Sequence, residues 1–135
     1  MEIERRNTWI GILIGACCIA AGPFIGYFLL DVFSYIIIFS LIGGFISGIF
    51  TSGNLKDGIR SGFWSGLIGS LFIAVPFVWL LVSTLLSGTA GFVEGLAIPL
   101  GLLFGIGVTI LASIAAGIGI MVKRAFLGSS TFAQQ

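Results

Sequence analysis

The chain has 135 residues, 58% of them hydrophobic and 8% charged, with 21 glycines, no histidine and a net charge of +1. A soluble domain carries about 25% charged residues, so this composition excludes a chain whose whole surface faces water. Six basic residues spread as three pairs also exclude a nucleic-acid-binding patch.

Arg5 and Arg6 precede the first apolar run, and residues 9–50 contain one charged residue, Asp31. A helix needs about 20 apolar residues to cross a bilayer, so this run holds two crossings that turn at Asp31. Span one is expected over 9–30 and span two over 32–50. Tyr27, Asp31 and Tyr35 are four apart and gather at one membrane face, where amphipathic rings settle. Cys17 and Cys18 are neighbours on a helix and point about 100° apart. They read as small packing residues, not as a metal or redox pair.

Next comes the longest polar run inside the chain, within "GIFTSGNLKDGIRSGFWSGLIGS" (48–70). Gly53 and Asn54 end span two, because both tolerate the left-handed conformation of a helix C-terminus. Asp57 is placed to cap span three by accepting from its free backbone N–H groups. Span three is expected over 61–86, with a kink at Pro76. Residues 87–98, "SGTAGFVEGLAI", read as an outer loop, and span four follows over 99–122, with Pro99 at the favoured first helical position. The alternative is a longer, tilted fourth helix that starts near Gly91 and carries Glu94 in its first turn. The tail, 123–135, is expected to fray.

All six basic residues fall on one side of this scheme: Arg5 and Arg6, Lys56 and Arg60, Lys123 and Arg124. The positive-inside rule then makes both termini and the middle loop cytoplasmic. Trp9 and Trp64 mark the inner interface. Trp79, about 22 Å beyond Trp64 along a helix, marks the outer one.

Small residues recur at four-residue spacing. The expected packing positions are Gly11, Gly15, Gly22 and Gly26 in span one, Gly44 and Gly48 with Ser40 in span two, Gly58, Gly62 and Gly66 with Ser61, Ser65 and Gly69 beside them in span three, and Gly101 and Gly105, then Ala112, Ala115, Ala116 and Gly119, in span four. In lipid, helices associate by close backbone approach, which small-xxx-small faces permit. A phosphate loop is the competing account of the glycines. It needs G-x-x-x-x-G-K-[ST] after a strand, whereas Lys56 is followed by Asp57 with no strand before it. "LIGACCIAAGPF" (13–24) and "LIGSLFIAVPF" (67–77) align with one gap, which would make spans one and three equivalent in a parallel two-plus-two duplication.

No cofactor, metal ligand set or catalytic group emerges. Serines and threonines have no candidate base nearby in sequence. The spans carry no acid or base away from their ends, where proton-coupled transporters place them. Asp31 and Glu94 read as solvated turn residues.

"GGFISGIFTSGNLKDGIRSGFWSGLIG", Gly43 to Gly69, resembles a family of small archaeal membrane proteins of unknown function, found in haloarchaea and methanogens. The resemblance implies four spans and carries no activity. The expectation is thus an all-α, integral membrane four-helix bundle forming a single transmembrane domain over 1–135, multi-pass in the cell membrane. Its partners are the lipid bilayer and either a second copy or a larger membrane complex, with no nucleic acid. The functional expectation is a non-enzymatic structural or accessory subunit. The alternative is a small oligomeric channel or transporter, lined by hydroxyls such as Ser65, Thr84, Thr109 and Ser113.

Overall fold

The computed structural model describes residues 2–88 and 91–133. They form four helices: α1 (Glu2–Phe28), α2 (Val32–Phe50), α3 (Leu55–Leu86) and α4 (Phe92–Ala133). Among the described residues there is no strand. Three stretches are long and apolar enough to cross a membrane: Glu2–Phe28, Leu55–Val75 and Ile98–Gly128. Within α2, Ser34–Phe50 is a shorter apolar helix.

Local chemistry explains the helix ends. Leu30 turns the chain after α1 in the left-handed region, φ 61°. Asp31 then caps α2, its carboxylate accepting from Ser34 N–H at 3.3 Å. Asn54 caps α3, and its carbonyl accepts from the N–H groups of Asp57 and Gly58 at 2.9 and 3.1 Å. Asp57 is therefore the third residue of α3 and not its cap. Its Oδ2 reaches back to accept from Asn54 N–H at 2.9 Å. This reciprocal pairing satisfies first-turn donors and starts α3 at Leu55, six residues before the expected 61.

The fourth helix corrects the sequence reading. The outer loop expected over 87–98 does not extend to Pro99. The helix begins at Phe92, as in the alternative reading, and Pro99 lies inside it. Proline removes one i→i−4 hydrogen bond. The carbonyl that loses its donor belongs to Gly95, which is exposed and has no side chain to shield it. The tail also departs from expectation, because α4 stays helical through Ala133.

Contacts between the helices define the arrangement. Helix α1 packs on α2 and α3, α4 packs on the same two, and α2 touches α3. Among the described residues the backbones of α1 and α4 do not pack on one another, and it is the side chain of Ile19 that reaches across the core to Val108 and Ala112. The section is a diamond with α2 and α3 on its short diagonal. Helices α1 and α3 run parallel, Gly15 facing Ser65 and Ile19 facing Gly69. So do α2 and α4, where Gly44 faces Ala112 and Gly48 faces Ala116. A two-fold axis along the bundle would carry the α2–α3 contact into an α1–α4 contact. The two hairpins are therefore stacked side by side without that symmetry.

The registers also show that the hairpins differ in reach. At 1.5 Å per residue, α3 runs about 12 Å past the level at which α1 ends, and α4 starts about 12 Å before the level at which α2 begins. All three basic pairs meet at the other end. There Lys123 Nζ donates to the Thr51 carbonyl at 3.0 Å, and Arg124 Nη2 donates to the Gly53 carbonyl at 2.6 Å and to Asn54 Oδ1 at 2.9 Å.

Candidate functional site: the hydroxyl seam of the core

The centre of the bundle is built from small residues in adjacent pairs. Helix α2 contributes Gly43-Gly44 and Ser47-Gly48, and α3 contributes Ser61-Gly62 and Ser65-Gly66, all buried. Neighbouring helical residues point about 100° apart, so each pair presents two small faces. On α2, Gly43 meets Gly15 and Ile19 of α1, while Gly44 meets the Ala112 backbone of α4. On α3, Ser65 meets Gly15 of α1, while Gly66 lies so close to α4 that an added methyl would sit 2.7 Å from Thr109 Cα. Two helices with neighbours on both sides need such doublets.

The serine members form a polar seam between α2 and α3. Thr51 Oγ1 lies 2.7 Å from Ser61 Oγ and 2.8 Å from the Ser47 carbonyl, and Ser61 Oγ lies 2.8 Å from the Gly58 carbonyl. Each hydroxyl has one hydrogen to donate: Ser61 donates to the Gly58 carbonyl, and the Thr51 hydrogen is shared between Ser61 Oγ and the Ser47 carbonyl. The seam continues one turn deeper to Ser47 and Ser65, whose Oγ atoms are buried without a hydrogen-bond partner. Both side chains close on Gly15. A methyl there would strike Ser65 Oγ and lie 2.5 Å from the Gly43 carbonyl and 3.2 Å from Ser47 Cβ.

The remaining expected packing positions divide into two groups. Gly11 lies against Phe50, Gly22 against Phe39, Gly48 against the Ala116 backbone, Gly58 against Ile120 and Gly62 against Ala112 and Ala116. Gly26 is buried on the same side of α1. Gly101 and Gly105 are the correction. A methyl on Gly101 would meet nothing within 4 Å, and one on Gly105 would reach Ser70 Cβ only at an ordinary 3.7 Å. Gly101 stands level with the first turn of α2, where the facing helix runs out. Alanines serve α4 instead: Ala112, Ala115 and Ala116 are buried. Gly43 is a close-approach position outside the expected set, and Gly119, the last of the small residues expected in span four, brings a methyl 2.5 Å from the Phe45 carbonyl. The Gly43-Gly44 dipeptide was the available signal for the first.

The seam's hydroxyls neighbour carbonyls, glycine and other hydroxyls. Among the described residues no three His, Cys, Asp or Glu side chains stand together. Of the hydroxyls considered for a pore, Thr109 Oγ1 donates to the Gly105 carbonyl at 2.8 Å and Ser113 Oγ to the Thr109 carbonyl at 2.7 Å. Two shallow clefts lie on the outside of the bundle. One is formed by Leu71, Ala74, Val75, Val78, Trp79 and Val82, the other by Leu41, Ile42, Phe45, Ala115 and Ile118, and both linings are wholly apolar. No protein-family model matches the chain, and no curated protein or solved structure matches it.

Proposed function

We propose that this chain is a four-span protein of the cell membrane, with both termini and the α2–α3 loop in the cytoplasm, and that it serves as a non-enzymatic structural or accessory subunit. The observation that carries the proposal is the closed, small-residue core. Its helices meet at the distance of backbone contact; of the hydroxyls expected to line a pore, Thr109 and Ser113 turn to carbonyls of their own helix and Ser65 is enclosed against Gly15. A hydroxyl bonded to the preceding turn is a common way to satisfy a polar side chain in lipid. That weighs against the channel reading.

Three stretches have the length and apolarity to cross a membrane. The fourth crossing rests on α2, whose 19 residues span about 28 Å, close to the roughly 30 Å of a bilayer core. The sidedness rests on the gathering of all six basic residues at one end of the bundle. The resemblance of Gly43–Gly69 to the archaeal family points the same way, to four spans without an assigned activity.

The test is purification in a mild detergent followed by mass measurement of the intact particle. A stoichiometric second protein, or a discrete multiple of the chain, is the expected result. A monomer that carries no partner at any detergent concentration would overturn the subunit reading.

A further inference from the structure

At the basic end, two elements repeat one arrangement. Helix α1 carries Arg5 and, one turn later, Trp9. Helix α3 carries Arg60 and, one turn later, Trp64. Arg5 continues the row of Ile12 and Ile19, and Trp9 the row of Ala16, at seven-residue steps on the side of α1 that packs on α3. Trp64 precedes the half-buried Ile68 by one turn on α3. The two tryptophans thus flank the α1–α3 seam, and they remain 52% and 42% exposed.

The parallel register sets their depths. Arg60 stands level with Trp9. Arg5 lies about 7.5 Å further toward the basic end, and Trp64 about as far into the apolar belt. Both arginines are exposed, and among the described residues neither makes an ion pair or a hydrogen bond. By contrast, Lys123 and Arg124 are spent on the α2–α3 loop. Of the acids at this end, Asp57 accepts from Asn54 N–H, and Glu2 and Glu4 lie exposed in the first turn of α1, on the side of Arg5 away from Trp9 along the chain.

We infer that the α1–α3 seam binds an anionic phospholipid. Arg5 and Arg60 hold its phosphate, Trp9 lies at the glycerol level, and Trp64 lies against the first segment of an acyl chain. Charge complementarity selects this occupant. Two unpaired guanidiniums beside two exposed tryptophans at the edge of an apolar surface match a phosphate joined to an acyl chain, and interfacial basic clusters bind anionic headgroups. Guanidinium forks suit phosphate oxygens in particular. The inference rests on the membrane reading above.

The test uses the full chain in a neutral maltoside detergent, supplied with phosphatidylglycerol or phosphatidylcholine and examined by native mass spectrometry. At least a fivefold preference for retained phosphatidylglycerol is expected. It should fall below twofold in the double variant Arg5→Gln, Arg60→Gln, and keep at least half its size in the charge-matched double variant Arg6→Gln, Lys56→Gln. A second readout uses Trp79→Phe protein, in which acyl-brominated phosphatidylglycerol should quench Trp9 and Trp64 fluorescence more strongly than brominated phosphatidylcholine. Equal retention of the two lipids by the unaltered chain would overturn the inference, as would equal loss in both double variants. A chain that stays folded in buffer without detergent would instead overturn the membrane reading itself.

Discussion

Single side-chain positions decide how near these helices come. Gly44 and Gly48 face not side chains but the backbone of Ala112 and Ala116. A flexible side chain could swing aside for an added methyl; a helix backbone must move as a whole. Overpacking of this kind costs about 1–3 kcal/mol. Gly48→Ala should therefore destabilise the bundle by about that amount. Gly101→Ala meets open space and replaces glycine inside a helix, so it should be neutral or stabilising by up to about 1 kcal/mol. Reversible unfolding of both variants in mixed detergent micelles measures the contrast, and equal effects would show that backbone approach does not govern stability. The pattern of four-residue spacing made most of the packing glycines legible in the sequence. It could not reveal where a facing helix ends, and for that reason Gly101 and Gly105 looked the same as Gly44 and Gly48. Nor does spacing alone show that Gly43 and Gly44 serve different neighbours. That follows only once α2 is known to have helices on both sides.

Whole elements were legible in existence and less so at their ends. The charge-free runs located four helices, and Asp31 located the first turn. The start of α4 was misjudged on the strength of Pro99, since first-turn proline is a preference and an interior proline costs one hydrogen bond whose partner, Gly95, is exposed. The latch between α4 and the α2–α3 loop was not legible at all, because it joins Arg124 to Gly53 and Asn54, about 70 residues away. Its physical basis is clear in the fold. The Thr51 carbonyl at the end of α2 lacks a helical partner and lies at the negative end of the helix dipole, where Lys123 meets it, while Arg124 takes the free acceptors of the loop, the Gly53 carbonyl and Asn54 Oδ1. Arg124→Ala removes both contacts. Charge-assisted hydrogen bonds contribute about 1.5–3 kcal/mol, discounted here because Arg124 is exposed. Amide exchange across residues 51–54 should accelerate about tenfold, equivalent to about 1.4 kcal/mol, while exchange in the outer half of α3 stays unchanged. Unaltered loop protection would mean that the latch holds nothing.

At the scale of the molecule, the diamond section and the unequal hairpins act together. From Trp9 to Phe28, α1 covers about 30 Å, close to the thickness of a bilayer core, as α2 does, with Arg5 and Arg6 in the turn of α1 before Trp9 and Asp31 at the turn of the hairpin. The α3–α4 hairpin overshoots that turn by about 12 Å. Helix α4, at 42 residues, is about 63 Å long, roughly twice the hydrocarbon thickness, so it must emerge on both sides. This geometry sharpens the sidedness prediction, because the overshoot lifts the α3–α4 connection clear of the lipid at the end opposite the basic pairs. In a chain freed of Cys17 and Cys18, a cysteine at Ser87 should react with a membrane-impermeant maleimide in intact spheroplasts of an expressing host. One at Ser52, beside the α2–α3 loop, should react only after the membrane is opened. The two positions belong to opposite ends of the same helix pair, so their labelling must be reciprocal if α3 crosses the bilayer. Reversal of both would invert the molecule and leave its packing intact. Labelling of both from outside would remove α3 as a crossing, and with it the four-span scheme.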